Sequence, residues 1–154
     1  NTPARTFRIA ADLTQAGAEP ALVTEWLYQR RAPRALTELG ELLRRIQLGD
    51  NGAVAWLAVP RGLVSEEFMA AEDVVTYPRS IGGVKVAVLL REEAPGMVKV
   101  SLRGKGEVAV NRIAGRFGGG GHENAAGCTV RGTLDEATAT VLAAVREALA
   151  APAR

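Results

Sequence analysis

Cysteine, histidine, aromatic side chains and net charge are all scarce in this 154-residue chain, and each scarcity excludes something. A single cysteine, Cys128, permits no internal disulfide and no cysteine-based zinc site, which fits a reducing cytoplasm. Cys128 sits in an apolar strand pattern and reads as a core residue rather than a reactive thiol. The single histidine, His122, with carboxylates scattered along the chain, argues against a two-metal hydrolytic centre, which needs several convergent ligands. No metal ion or other cofactor is therefore expected on this chain. Two Trp, two Tyr and three Phe mean a core of Val, Leu, Ala and Ile, and too few stacking platforms for a long single-strand binder. A net charge of +2 makes no general polyanion surface, and the basic clusters are short: Arg30, Arg31 and Arg34; Arg44 and Arg45; Arg103 and Lys105. No apolar stretch approaches the ~20 residues of a membrane span, and the N-terminus lacks a signal-peptide pattern. The expectation is a cytoplasmic protein without a membrane partner.

Glycine, by contrast, is plentiful. The run Phe117-Gly118-Gly119-Gly120-Gly121-His122-Glu123-Asn124-Ala125-Ala126-Gly127 places four consecutive glycines beside the only histidine. Glycines cost backbone entropy on folding, so a fold keeps them where positive φ or close approach to the main chain is required. Bare N–H groups in such a loop can converge into an anion nest, with the imidazole beside them as a directional donor. The alternative is a flexible linker. Its flanks argue otherwise, because a helical pattern precedes the run and a small-residue strand follows it.

The composition, 47% hydrophobic and 23% charged, is that of one ordinary globular domain with a helical arm. Since the chain begins at Asn1 rather than Met, a fragment of a longer protein is expected. The apolar spacing predicts helices over 6–16, from Pro20, and over 34–48, the last broken by Gly49-Asp50-Asn51-Gly52. A strand over 53–59 follows, then helical stretches over 66–70 and 72–77, the second ended by Pro78. Strands over 83–90 and 98–103 form a hairpin around Ala94-Pro95-Gly96. A helix over 108–116, a strand over 125–130 and a helix over 133–149 with a Thr133/Glu136 capping box complete the chain. This is an α/β pattern: a mixed β-sheet flanked by helices, with an N-terminal helical arm. The domain reading is an arm over 1–48, a folded domain over 49–150 and a frayed tail over 151–154. Val98, Val100 and Leu102 face one side of their strand, and Lys99, Ser101 and Arg103 the other.

Ile81-Gly82-Gly83-Val84, the strands Val86 to Glu92 and Lys99 to Arg103, the helix residues Val110 to Ala114, and Phe117 to Cys128 together resemble the DHH-associated C-terminal domain of the DHH phosphoesterase superfamily. The branch most similar is that of bifunctional enzymes degrading nanoRNA and dephosphorylating 3'-phosphoadenosine 5'-phosphate (pAp). The resemblance covers roughly residues 53–149. Gly104, where a small polar residue is expected, and Pro78 depart from the pattern.

The resemblance implies an N-terminal DHH catalytic domain holding Mn2+ ions, absent from this chain, and a substrate-binding role for the residues present. Arg103 is the implied phosphate clamp, the alternative being a solvated arginine or a surface ion pair, and Ser101 on the same face either donates to a phosphate or satisfies the strand rim. Gly118, Gly119, Gly120 and Gly121 are implied backbone contacts, and His122 an implied contact to the terminal phosphate or the nucleotide, the alternative being a hydrogen bond that locks the loop. Asn124 and Asn111 either contact ligand or cap their turns. Lys105, Arg116 and Arg91 are supplementary anion contacts or solvated charges. The implied ligand is a short RNA or a nucleotide phosphate, bound by a unit that does not itself catalyse. The alternative is a nucleic-acid-binding or oligomerisation module of a RecJ-type exonuclease or an alanyl-tRNA synthetase relative, with a homodimer through the arm as a further possibility.

Overall fold

The computed structural model of the protein describes residues 3–71, 73–106 and 108–151. The chain forms two compact units, divided between Leu36 and Thr37. In the first, α1 (Ala4–Gln15) and α2 (Pro20–Tyr28) contain no buried residue. Gly17, at φ +101°, follows α1 in the left-handed conformation that ends many helices. The Arg30 guanidinium lies 3.5 Å from the centre of the Trp26 ring and pairs with Glu25 at 3.0 Å.

Helix α3 (Pro33–Leu43) buries Leu39 and Leu42 in its second half. It stops short of the expected Leu48. Residues Gln47–Gly49 form strand β1 instead, paired antiparallel with β2 (Val54–Val59). The ladder overrides the helical spacing because Asp50, Asn51 and Gly52, at φ 53°, 55° and 82°, reverse the chain tightly and lay 47–49 along β2. Asp and Asn are among the few residues that tolerate this region. Both Asp50 carboxylate oxygens accept from Arg146 Nε at 3.1 Å, which ties the reversal to the last helix.

The six strands follow the order β1-β2-β3-β4-β6-β5. β2 runs parallel to β3 (Val86–Ala94), and the crossover between them carries α4 (Glu66–Ala71) and α5 (Thr76–Ser80). Pro78 lies inside α5 rather than ending a helix over 72–77. It is the third residue, and a first-turn N–H has no intrahelical partner to lose. Glu72 lies outside the described residues. β3 and β4 (Met97–Gly104) form the predicted hairpin around Gly96, at φ +72°. Pairing with β4 carries β3 on to Ala94, past the expected end at Leu90. After α6 (Val110–Gly115), shorter than 108–116, come β5 (Gly120–His122) and β6 (Ala125–Arg131). Helix α7 (Leu134–Ala150) starts with the predicted Thr133/Glu136 capping box.

One sheet face carries the main core, where Val86, Val88, Leu90, Val98, Val100 and Leu102 pack with Val110, Ile113, Val141 and Val145 of α6 and α7. Each such side chain contributes roughly 1.5–3 kcal/mol of burial free energy. α5 packs on the sheet through β2, β3 and β4.

Candidate functional site

Strand alternation places the polar side of β4 on the face opposite the core. There the register joins three strands: Arg103 pairs with Ala125, and Ala125 pairs with His122 of β5. Partners across a ladder share a face, so Arg103 and His122 project from the same side of the sheet. With strands 4.7–4.9 Å apart, their backbones are about 10 Å apart, and only the Ala125 methyl stands between them. The next row repeats the arrangement with Ser101, Gly127 and Gly120. Two charged or titratable groups thus flank a floor of small residues, flat enough for a ligand to lie on.

Arg103 is half-buried. Its guanidinium donates to the Leu102 carbonyl at 3.3 Å and to Asp73 Oδ1 at 3.4 Å. His122 is exposed, as is all of β5. The glycine run was expected as a loop, whereas its second half is this edge strand. Gly118, at φ +72°, donates its N–H to Gly115 O at 3.1 Å, and Gly119 donates to Ala114 O at 3.0 Å. These bonds satisfy carbonyls at the end of α6. The expected anion nest is therefore not formed by the Gly118 and Gly119 amides. Gly119 serves a steric end: a Cβ there would overlap Gly127 O and lie 2.5 Å from Cys128 Cβ. Gly121, at φ +142°, would bring a Cβ to 2.5 Å from Ala125 O. Both allow β5 to lie close on β6. Gly120 faces open space.

Asn124 occupies the turn between β5 and β6. Its carbonyl accepts from Gly104 N at 3.0 Å, and that of Glu123 accepts from Val110 N at 2.8 Å, so the turn is anchored to β4 and α6. Asn111 Oδ1 is enclosed without a hydrogen-bond partner among the described residues. Of the supplementary cations, Lys105 donates to Ile81 O at 3.3 Å and Arg116 pairs with Glu147 at 2.6 Å. Arg91 pairs with Glu93, and with Glu66 at 3.4 Å, while Lys99 lies 3.6 Å from Glu93. Burial pushes the Glu93 carboxyl up, but the Arg91 hydrogen bond and the charges of Lys99 and Arg91 outweigh it, holding the group below its ordinary 4.5. Burial raises the Cys128 thiol.

Two concavities meet at Lys99 and Ser101. One, of about 360 Å³, runs over Gly127 and Thr129 to Phe117, Gly118 and Gly119. The other, of about 550 Å³, extends towards α4 and α5 and includes Asp73, Leu89 and Arg91. Sequence reading missed Asp73, since nothing in the spacing shows that the crossover brings it to Arg103. Among the described residues no group of three or more His, Cys, Asp or Glu side chains is placed to hold a metal ion. Nor is any helix among them long and apolar enough to cross a membrane.

Comparison with known proteins adds a family and relatives. The profile described as the DHHA1 domain matches residues 65–151. The chain is 38% identical over 150 residues to the bifunctional oligoribonuclease and PAP phosphatase NrnA of Thermus thermophilus, a match covering 97% of this chain and 45% of that protein. It is 29% identical to the cyclic-di-AMP phosphodiesterase GdpP of Geobacillus thermodenitrificans, covering 95% of this chain and 22% of that one. An exopolyphosphatase-related protein from Bacteroides fragilis superposes with a TM-score of 0.83 at 26% identity, over 94% of this chain and 44% of the other. The chain thus spans less than half the length of each of these relatives.

Proposed function

The chain belongs to the DHHA1 domain family, and from that premise we propose that it is the substrate-binding unit of a metal-dependent phosphoesterase that degrades nanoRNA and dephosphorylates pAp. The unit grips the 5'-phosphate of a short oligonucleotide. The observation that carries this reading is the cross-strand row in which Arg103 and His122 flank Ala125. A phosphate resting there receives a bidentate guanidinium from one side and an imidazole donor from the other. Ser101, one row along, offers a hydroxyl to the sugar-phosphate chain.

Arg103 has a ready exchange of partners. Its contact with Asp73 is a long, partly exposed ion pair, the kind that contributes ~0–1 kcal/mol. A charge-assisted hydrogen bond contributes about 1.5–3 kcal/mol. Phosphate therefore displaces Asp73. The hydrolytic step would belong to a DHH catalytic domain on the N-terminal side, where bound Mn2+ would supply the activation of water. This chain's residues bind and orient the ester and hold its far end still.

Titration with a 5'-phosphorylated dinucleotide and its unphosphorylated twin tests the reading. The phosphorylated ligand is expected to bind more tightly, and Arg103→Ala to weaken it about tenfold or more, from the magnitude above. Equal binding of the two ligands, or an affinity indifferent to Arg103→Ala, refutes it. The exposed Trp26, Leu27 and Tyr28 of α2 favour a second reading, self-association through the arm, for which mass measured across a concentration series is the test.

A further inference from the structure

The larger concavity has its own chemistry. Along β3 and β4 the Leu89–Ser101 pair lies between the row holding Arg103 and the row holding Arg91 and Lys99. Over it stand Met69, Val74 and Val75 from the crossover, leaving an apolar slot within the cleft of about 550 Å³. Each end is bridged by a carboxylate–guanidinium pair: Glu66–Arg91 and Asp73–Arg103, both at 3.4 Å. Opposite charges accompany one another here, so the slot is no second phosphate site. A middle with apolar side chains on both walls and the single Ser101 hydroxyl, with charged donors and acceptors at its ends, matches a planar heteroaromatic ring, and the volume falls within the range of small-ligand pockets.

We infer that this slot takes the nucleobase of the nucleotide whose phosphate rests on the Arg103–His122 row. The inference rests on the phosphate-platform reading above. Ser101 lies two residues from Arg103 along the strand, about 6.7 Å, a gap that a ribose bridges. Glu66 and Asp73 supply acceptors for exocyclic amines, and Lys99 supplies a donor for ring nitrogens or carbonyls. Bases bearing an amino group are therefore preferred over uracil. The two subsites are coupled through Asp73: phosphate drawing Arg103 away leaves the Asp73 carboxylate free to accept from the base.

Calorimetric titration with ribose 5-phosphate, 5'-UMP and 5'-AMP separates the parts. The expected order is AMP, then UMP, then ribose 5-phosphate, with AMP about tenfold or more tighter than the sugar phosphate. Met69→Trp, which fills the slot, removes that increment and leaves ribose 5-phosphate binding unchanged, and Glu66→Gln narrows the gap between AMP and UMP. A methyl-NMR readout on the unmodified chain is independent of how the variants fold. Met69 lines the slot, and the only other methionine, Met97, begins β4 at the hairpin turn. AMP shifts the Met69 methyl, ribose 5-phosphate does not, and Met97 stays still under both. If ribose 5-phosphate binds as tightly as AMP, or the Met69 methyl ignores AMP, the base pocket is refuted while the platform stands. If neither ligand binds, the platform reading fails and the pocket falls with it.

Discussion

Replacing Gly119 by alanine tests the packing that creates the site. The new Cβ would overlap the Gly127 carbonyl oxygen and stand 2.5 Å from Cys128 Cβ and 2.7 Å from Cys128 Cα. These neighbours are main chain and first side-chain atoms of β6, so no rotamer change relieves the overlap. Overpacking of this kind costs about 1–3 kcal/mol, and a backbone obstacle puts Gly119→Ala towards the upper end. Gly119 has no positive φ, so alanine adds no backbone strain and recovers ~0.4–1 kcal/mol through the unfolded chain. The net loss is about 2 kcal/mol, which for a chain of this size lowers Tm by roughly 4–8 °C. Gly120→Ala is the matched control: nothing lies within 4 Å of its Cβ, and its φ is ordinary. With no clash to offset the unfolded-chain gain, its stability equals the parent's or exceeds it by up to about 1 kcal/mol. Urea unfolding followed by tryptophan fluorescence reports on the larger unit through Trp56, which packs against its core. Equal midpoints for Gly119→Ala and the parent, or a larger loss in Gly120→Ala, refute the argument that these glycines hold β5 against β6.

Acid stability follows from two carboxylates with depressed values, Glu93 and Glu136. The Glu136 carboxyl is lowered chiefly by the Thr133 N–H and then by its hydroxyl. A depressed folded-state pKa gives stability that is present above the unfolded value near 4.5 and is lost as pH falls through the folded value. Glu136→Gln keeps a capping side chain and removes that titration, so its Tm is expected to fall less steeply than the parent's between about pH 5 and pH 3. Thr133→Ala deletes the cap itself and lowers stability by about 1 kcal/mol at neutral pH, read by thermal melts. Cys128 is buried with its thiol pKa raised, so a thiol reagent is expected to label it slowly in native buffer and rapidly in urea. Fast native labelling would contradict its placement in the core.

Sequence reading recovered the elements whose signals are local. The Thr133/Glu136 box, the alternation of β4 and the Ala94-Pro95-Gly96 hairpin each declare themselves within a few residues. β1 and β5 did not, because three-residue edge strands have no periodicity of their own and exist through their partners. The site divides along the same line. Facing of Ser101 and Arg103 was legible from alternation, whereas their alignment with His122 depends on a register set by Gly119 and Gly121. Asp73 and the slot beneath Met69 arise from a crossover whose landing point no spacing reveals. That the Gly118 and Gly119 amides turn back onto α6 was not legible, because four glycines in a row say nothing of which amides a preceding helix will claim.

The pairing of charges on the open face also bears on ligand length. Of the basic residues, Arg5, Arg8, Arg30, Arg31 and Arg34 precede Thr37, as do only three acidic ones, Asp12, Glu19 and Glu25, so the formal +2 resides wholly in the arm and the larger unit is neutral. Binding to a long polyanion draws its strength from counterions released along many phosphates. A neutral surface whose cleft cations each have a carboxylate beside them releases few. On the proposed reading, in which one phosphate rests on the Arg103–His122 row, a long RNA would gain no more from this unit than its single fitting end supplies, and binding would vary with salt as though about one phosphate were engaged. Discrimination against length then needs no wall to stop the chain, because additional nucleotides bring almost no additional affinity.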